Sequence, residues 1–279
     1  MSEVEAKLEL FRASLCHHAP LLVAYSGGVD SAYLLAEARN VLGREGVLGV
    51  IADSASLPRK ALADAVALAQ KIDARVEVVQ TGELSNPDYA SNPVNRCYFC
   101  KAELFSKLEE IARDRSFRGL AYGENFDDMR QTRPGRQAAQ EYAILAPLKD
   151  ARLTKLEIRD LSRRLGLPTA DAPAQPCLSS RIPHGTPVTA SALAMVEAAE
   201  DWVRSFGFKV FRVRHLESAL TEPSASQTGT PIAARAKVQI APGEMPRLGD
   251  CIAQIESGLR AVGYSEVEFD PQGYRSLFD

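Results

Sequence analysis

Ser26-Gly27-Gly28-Val29-Asp30-Ser31 is the stretch of this 279-residue chain whose residue types point most directly to chemistry. It follows an apolar run, Leu21-Leu22-Val23-Ala24-Tyr25, and precedes a helical pattern with Leu34, Leu35 and Ala38 on one side. A glycine-rich turn from a buried strand into a helix aims several backbone N–H groups at one spot. The helix dipole adds positive potential there, so the spot suits a phosphate. The glycines let the backbone approach the anion closely, and Ser26 and Ser31 can donate hydroxyl hydrogen bonds to it. The turn holds no lysine, so it is not the nucleotide loop of GTPases. Asp30 stands where that lysine is expected. Beside phosphates an acid makes sense mainly as a Mg²⁺ ligand, direct or through water. A bare Ser-Gly-Gly would be an ordinary strand–helix turn; the whole string, placed after a strand, is more specific.

A second constellation is made of thiols. Cys97-Tyr98-Phe99-Cys100 sits at the mouth of a helix, and Cys177 lies in Gln175-Pro176-Cys177-Leu178-Ser179-Ser180-Arg181. A CxxC alone is redox-active, zinc-binding or incidental. Structural zinc wants four N or S ligands, and no fourth is evident. An iron–sulfur cluster held by three thiolates leaves one iron open to an exogenous ligand. A Cys177 that is sacrificed or carries a persulfide, without a cluster, is the alternative, and zinc or no role stays open. Lys101 follows the pair and could offset charge on a transferring phosphate, or be a solvated helix lysine. Arg212 and Arg214 alternate on one strand and face one side. Two such guanidinium groups suit a substrate phosphate, against the plainer reading of a solvated strand face. Arg181, near Cys177, could favour its thiolate or hold a substrate carboxylate. Asn125, Asp127 and Asp128 follow a strand at the ligand edge, where loop acids are otherwise only solvated. Cys16 and Cys251 lie in helical patterns and read as buried apolar residues. His17, His18, His184 and His215 show no metal-ligand spacing.

The elements that must position these groups alternate. Helix 3–18, the first strand, the loop helix, strand Val47–Ala52, helix 58–72, strand Arg75–Val79, a loop over 82–97, helix 98–114, strand Leu120–Tyr122 and strand Ala143–Leu148 follow in turn. A capping box at Thr154-Lys155-Leu156-Glu157 then opens a helix that ends near Gly166. This order predicts an α/β fold with a doubly wound parallel sheet. Ligands then sit at the C-terminal ends of the strands, where the Ser26–Ser31 loop, Asp53 and Gly123-Glu124-Asn125 all fall. The Pro-, Ser- and Gly-rich stretch 168–187 marks a boundary, giving domains 1–185 and 186–279. The second is a small C-terminal α+β unit with helix 189–206, strands 209–214 and 235–240, helix 244–261 and strand 265–269. Residues 217–231 read as a mobile surface loop without chemistry. With 46% hydrophobic and 25% charged residues the composition is that of a soluble globular protein. The net charge of −3 argues against a nucleic-acid partner. No apolar run approaches a membrane span, and the N-terminus reads as an amphipathic helix and not a signal peptide. The expectation is a cytoplasmic protein with reduced cysteines.

Ser26–Ser31 resembles the PP-loop of the ATP pyrophosphatase superfamily, whose members attach AMP to a carboxylate or carbonyl oxygen, release pyrophosphate, and let a nitrogen or sulfur nucleophile displace AMP. The resemblance narrows with Asn95-Arg96-Cys97-Tyr98-Phe99-Cys100-Lys101, the Cys177 segment through Pro183-His184-Gly185-Thr186, Phe211-Arg212-Val213-Arg214-His215 and Gly273-Tyr274-Arg275-Ser276. Together these are similar to the LarE family, from the first strand to the C-terminus. LarE-type enzymes adenylate the carboxylates of pyridinium-3,5-dicarboxylate mononucleotide and convert them to thiocarboxylates, building the nickel-pincer cofactor of lactate racemase. Some members surrender the sulfur of one cysteine and keep dehydroalanine. Members with three cysteines, as here, are thought to bind a [4Fe–4S] cluster whose open iron carries hydrosulfide. The resemblance thus implies ATP, Mg²⁺, a [4Fe–4S] cluster on Cys97, Cys100 and Cys177, a sulfide donor, a small pyridinium mononucleotide substrate and a homo-oligomer. It departs at Lys237, in Ala234-Arg235-Ala236-Lys237-Val238, where the family commonly has an acid, so a metal site using that carboxylate finds no support. Glu200 could serve instead, but reads as a surface helix acid.

Three rivals remain at this level. A tRNA thiolase of the same superfamily also joins a PP-loop to a CxxC and a third cysteine, but should carry a basic face or an RNA-binding domain. An amidotransferase-like ligase such as NAD synthetase would use ammonia and need no clustered thiols. A nucleotide- or cluster-binding carrier would need no adenylation chemistry.

Overall fold

The computed structural model describes residues 2–130, 134–217 and 234–274. These fall into two compact units, Met1–Tyr89 with Val94–Gln175, and Ala90–Pro93 with Pro176–Asp279. Most of the 217–231 loop, and Arg275-Ser276, lie outside the described residues. No helix among the described residues is long and apolar enough to cross a membrane.

The chain begins α1 (Glu3–His17), β1 (Leu21–Ala24), α2 (Val29–Leu42), β2 (Val47–Asp53), α3 (Arg59–Lys71), β3 (Val76–Gln80) and a short α4 (Pro87–Ala90). It continues α5 (Arg96–Arg115), β4 (Gly119–Tyr122), α6 (Pro134–Glu141), a short α7 (Pro147–Asp150) and α8 (Lys155–Arg164). The four strands form a parallel sheet in the order β3-β2-β1-β4. Alternate strand residues point to opposite faces. Leu21, Val23, Val47 and Ile51 join one core with Leu34 and Leu35 of α2 and Ile158 and Leu161 of α8. Leu22, Leu48 and Val50 join another with Phe105 and Leu108 of α5 and Ala138 and Ala139 of α6. Both faces are covered, which is the doubly wound arrangement, and which explains why these strands read as unbroken apolar runs. The chain moves outward from β1 to β2 and β3, then returns to place β4 on the other side of β1. A crevice at such a reversal, outside the C-terminal strand ends, is where open α/β sheets bind ligands.

Two segments of this unit differ from the sequence reading. Ala143–Leu148 is not a strand: only Leu145 bridges to Ala121. Ala143 has φ +49° and Pro147 opens α7, so three residues lie between them and a regular strand has no room to run. The 82–97 loop contains a 3₁₀ turn at Glu83–Ser85 and α4.

The second unit holds α9 (Ala190–Ser205), β5 (Phe211–Glu217), β6 (Ala234–Ile240), α10 (Ile252–Val262) and β7 (Glu266–Phe269). Its sheet runs β5-β6-β7, antiparallel then parallel. Phe211, Val213, Ala236 and Val238 pack against Ala199 and Val203 of α9 and Ile255 and Leu259 of α10. The helix expected over 244–261 is shorter. Met245–Arg247 is a 3₁₀ turn, and α10 starts only after Gly249-Asp250, a poor helical pair. Cys251 is half-buried, and burial pushes its thiol up. Cys16, expected to be buried, is exposed. The core face of α1 is Phe11 and Leu15, and the residue after Leu15 turns away from it.

Candidate active site

The loop between β1 and α2 is held from within. Ser26 N donates to Ser31 Oγ at 3.2 Å, Ser31 Oγ lies 3.0 Å from Ser26 Oγ, and it reaches Gly28 O at 3.1 Å. Gly27 has φ +75°, and a Cβ there would meet the Cβ of Ala65 at 2.7 Å, so α3 packs against bare backbone. Gly28 is the N-cap of α2 and offers no side-chain cap. The first N–H groups of α2 therefore have no capping oxygen, which is the arrangement that accepts a phosphate oxygen.

Asp30 lies in the first turn of α2. Its Oδ2 accepts a 2.6 Å hydrogen bond from Lys155 Nζ, while its Oδ1 is buried with no hydrogen-bond partner. An orphaned buried carboxylate oxygen is costly, and a hard cation is its natural partner. Asp30 therefore fits a Mg²⁺ ion shared with phosphates. Lys155 escaped the sequence reading. The capping box at Thr154 forms as expected and puts Lys155 at the first position of α8. Lys155 N also donates to Asp127 Oδ2 at 2.8 Å, so the N-terminus of α8 is tied to the loop after β4. Gly123 closes the floor: a Cβ there would lie 2.7 Å from Ser31 N and 3.0 Å from the Asp30 carbonyl carbon. Asp53 is taken up within the protein, with one oxygen on Arg59 and the other on Gln80.

Beyond Gly123, Asn125 and Asp128 lock one another. Asn125 N donates to Asp128 Oδ2, and Asp128 N to Asn125 Oδ1. The adjacent Glu124, not singled out from sequence, is buried and accepts from Tyr122 Oη at 2.6 Å and Arg136 Nε at 2.8 Å. Burial alone would raise its carboxyl, but those two donors outweigh burial and hold it below the usual range. Burial, then the bond to Glu124, pushes the Tyr122 phenol up. Lys101 Nζ lies over the Tyr122 ring, 4.6 Å from its centroid.

The cysteines stand in both units. Cys97 is exposed and Cys100 half-buried, one turn apart at the start of α5 in the first unit. Cys177, half-buried, is the N-cap of a 3₁₀ turn, Leu178–Arg181, in the second. Among the described residues no group of three His, Cys, Asp or Glu is arranged to hold a metal ion. Thiolates are the soft ligands that suit an iron–sulfur cluster.

Arg181 and Glu200 are each 3% exposed and form a two-pronged pair, Nε to Oε1 and Nη2 to Oε2, both 2.8 Å. Glu200 is thus not a surface acid; it also accepts from Val213 N at 3.1 Å. Arg181 Nη1 in turn donates to the carbonyl oxygens of Pro176 and Cys177. The pair fixes the backbone that carries Cys177. Glu200→Ala would leave the Arg181 charge buried, and is expected to cost about 3–5 kcal/mol of stability by urea unfolding. A loss under about 1 kcal/mol, the size of an exposed pair, would contradict the buried pairing.

Arg212 and Arg214 face away from the core side of β5. Arg212 lies over the Tyr274 ring at 4.7 Å and donates to Phe211 O. Arg214 donates to Gln239 Oε1 and Ser180 O, both neutral. Burial, then the neighbouring Arg181, lowers both guanidinium groups from their usual value. Lys237, opposite Arg214 in the register, pairs with Glu268 and Asp270. Two guanidinium groups thus stand side by side on this face, while the Lys237 charge is offset by two carboxylates.

The NAD synthase family matches residues 12–127, the stretch from α1 through the loop after β4. The chain is 38% identical over 275 residues to an uncharacterized protein of Synechocystis sp., covering 98% of this chain and 96% of that one. It is 30% identical over 281 residues to the pyridinium-3,5-bisthiocarboxylic acid mononucleotide synthase of Lactiplantibacillus plantarum, covering 99% and 94%. An uncharacterized protein of Methanocaldococcus jannaschii is 25% identical over 197 residues, 70% of this chain and 73% of its own.

Proposed function

Because the chain belongs to the LarE family of PP-loop ATP pyrophosphatases, we propose that it inserts sulfur into a pyridinium carboxylate at the expense of ATP. The substrate is pyridinium-3,5-dicarboxylate mononucleotide. Its carboxylate oxygen attacks the α-phosphorus of ATP, the bond to the β-phosphate oxygen breaks, and pyrophosphate leaves. A sulfur nucleophile then attacks the acyl carbon and the bond to AMP breaks; hydrosulfide leaves a thiocarboxylate directly, and a cysteine thiolate leaves a thioester. The observation that carries this reading is the uncapped N-terminus of α2 beside the partnerless oxygen of Asp30. The N–H groups of α2 and the hydroxyls of Ser26 and Ser31 hold the phosphates. Asp30 would hold Mg²⁺, an ion that would supply charge neutralisation for the departing pyrophosphate. Lys155 and Lys101 offset charge on the transferring phosphoryl group. Carboxylate-dependent exchange of labelled pyrophosphate into ATP tests the first half. An enzyme that exchanges without the pyridinium carboxylate, or not at all with it, would refute this substrate assignment.

Arg212 and Arg214 hold the phosphate of the mononucleotide in this proposal. A charge-assisted hydrogen bond contributes about 1.5–3 kcal/mol. Arg214→Ala should therefore raise the KM for the mononucleotide by about one to two decades, and that for ATP much less. Unchanged mononucleotide KM values in both arginine variants would put the phosphate elsewhere.

Sulfur reaches the acyl-adenylate by one of two routes, a cluster on Cys97, Cys100 and Cys177 or Cys177 alone. The three-cysteine resemblance favours a [4Fe–4S] site with sulfide as donor. The second route needs no cluster: the Cys177 thiolate displaces AMP to form a thioester, loss of the Cys177 α-proton breaks its Cβ–S bond, and the sulfur stays on the substrate as a thiocarboxylate while the chain keeps dehydroalanine. Both routes require Cys177.

A further inference from the structure

Lys101 runs along a narrow track in the first unit. On one side is the ring of Tyr122, 4.6 Å from the ammonium. That ring is pinned at its hydroxyl by Glu124 and set edge-on against Phe105. On the other side is Gly135, the second residue of α6. A Cβ at Gly135 would lie 2.5 Å from Lys101 Cδ, 2.9 Å from Cε and 3.1 Å from Nζ. Gly135 is buried within a helix, where glycine is a weaker former than alanine. Local stability alone therefore gives no reason for a glycine here. Gly123, the residue after Tyr122, lies against the PP-loop: a Cβ there would come within 2.7 Å of Ser31 N and 3.0 Å of the Asp30 carbonyl carbon.

We infer that Gly135 is a positioning residue for the adenylation step, leaving bare the track that aims the Lys101 ammonium along the Tyr122 ring. The inference rests on the assignment of Lys101 to the transferring phosphoryl group. The three nearest atoms a new Cβ would meet all belong to the outer part of the Lys101 side chain. An alanine is therefore accommodated by turning Lys101 aside, with α6 in place and its helical preference improved. Stability and activity move in opposite directions, which a merely structural glycine does not produce.

The test compares wild type, Gly135→Ala, Lys101→Ala and the double variant by thermal unfolding and by mononucleotide-dependent ATP–pyrophosphate exchange. Gly135→Ala should melt at or above the wild-type temperature. Its exchange kcat should fall about 10- to 100-fold, the scale of a displacement of about 1 Å in a catalytic group, with a smaller change in the KM for ATP. In the Lys101→Ala background the same substitution should add nothing, because the two act as one unit. A wild-type rate in Gly135→Ala overturns the inference, as does a loss that persists undiminished in the double variant. If Lys101→Ala itself exchanges at the wild-type rate, the assignment of Lys101 falls and this inference with it. A crystal structure of Gly135→Ala with Lys101 still over the Tyr122 ring would overturn it whatever the activity.

Discussion

Asp30→Ala is expected to fold as the wild type does and to lose carboxylate-dependent pyrophosphate exchange by about 10²–10³-fold or more. Asp30 contributes little to packing. Its Oδ2 meets Lys155, whose side chain is 36% exposed and can be solvated once the carboxylate is gone. Its Oδ1 has no partner at all, so removing it relieves a cost rather than creating one. What the substitution removes is the oxygen that would hold Mg²⁺ at the N-terminus of α2, where pyrophosphate must leave. Thermal unfolding and the exchange assay on the same preparation check both halves. A folded variant that exchanges at the wild-type rate would take Asp30 out of the mechanism.

Cys177→Ala should separate the two half-reactions. Exchange should continue near the wild-type rate, since the PP-loop and its lysines are untouched. Thiocarboxylate should disappear. The thiol is half-buried and small, and Arg181 grips backbone oxygens at 176 and 177 rather than the sulfur, so the segment keeps its anchor. Cys97→Ala and Cys100→Ala then distinguish the sulfur routes. If a three-thiolate cluster carries sulfide, both variants lose repeated turnover. If Cys177 is consumed, both stay active for one event, after which Cys177 is dehydroalanine by mass spectrometry. Thiocarboxylate made by Cys177→Ala would contradict either route.

What the sequence disclosed was local. The PP-loop lies within six residues, and the hydrogen bonds inside it run between positions at most five apart. The parallel strands were legible because burial on both faces leaves a continuous apolar run. Lys155 was not, because its partner Asp30 is 125 positions away and no helical periodicity encodes that meeting. Glu200 was misread for the same reason. On α9 it looks like any helix acid, and only a guanidinium from another segment makes its burial tolerable. Ala143–Leu148 has strand composition, but the left-handed backbone at Ala143 and the helix opened by Pro147 leave it one pairing. Lys101 was visible as a cation after a CxxC, whereas its track depends on a glycine in a helix that no pattern had suggested.

The central claim is that this chain exchanges a carboxylate oxygen for sulfur at the expense of ATP. The most direct measurement supplies purified, iron- and sulfide-reconstituted protein with ATP, Mg²⁺, the pyridinium dicarboxylate mononucleotide and either sulfide or ammonia, and identifies the product by mass spectrometry. The account predicts a thiocarboxylate, with AMP and pyrophosphate formed alongside, and no carboxamide when ammonia replaces sulfide. A carboxamide from ammonia, with no sulfur incorporated under any condition, would contradict it and make the protein an amide-forming ligase.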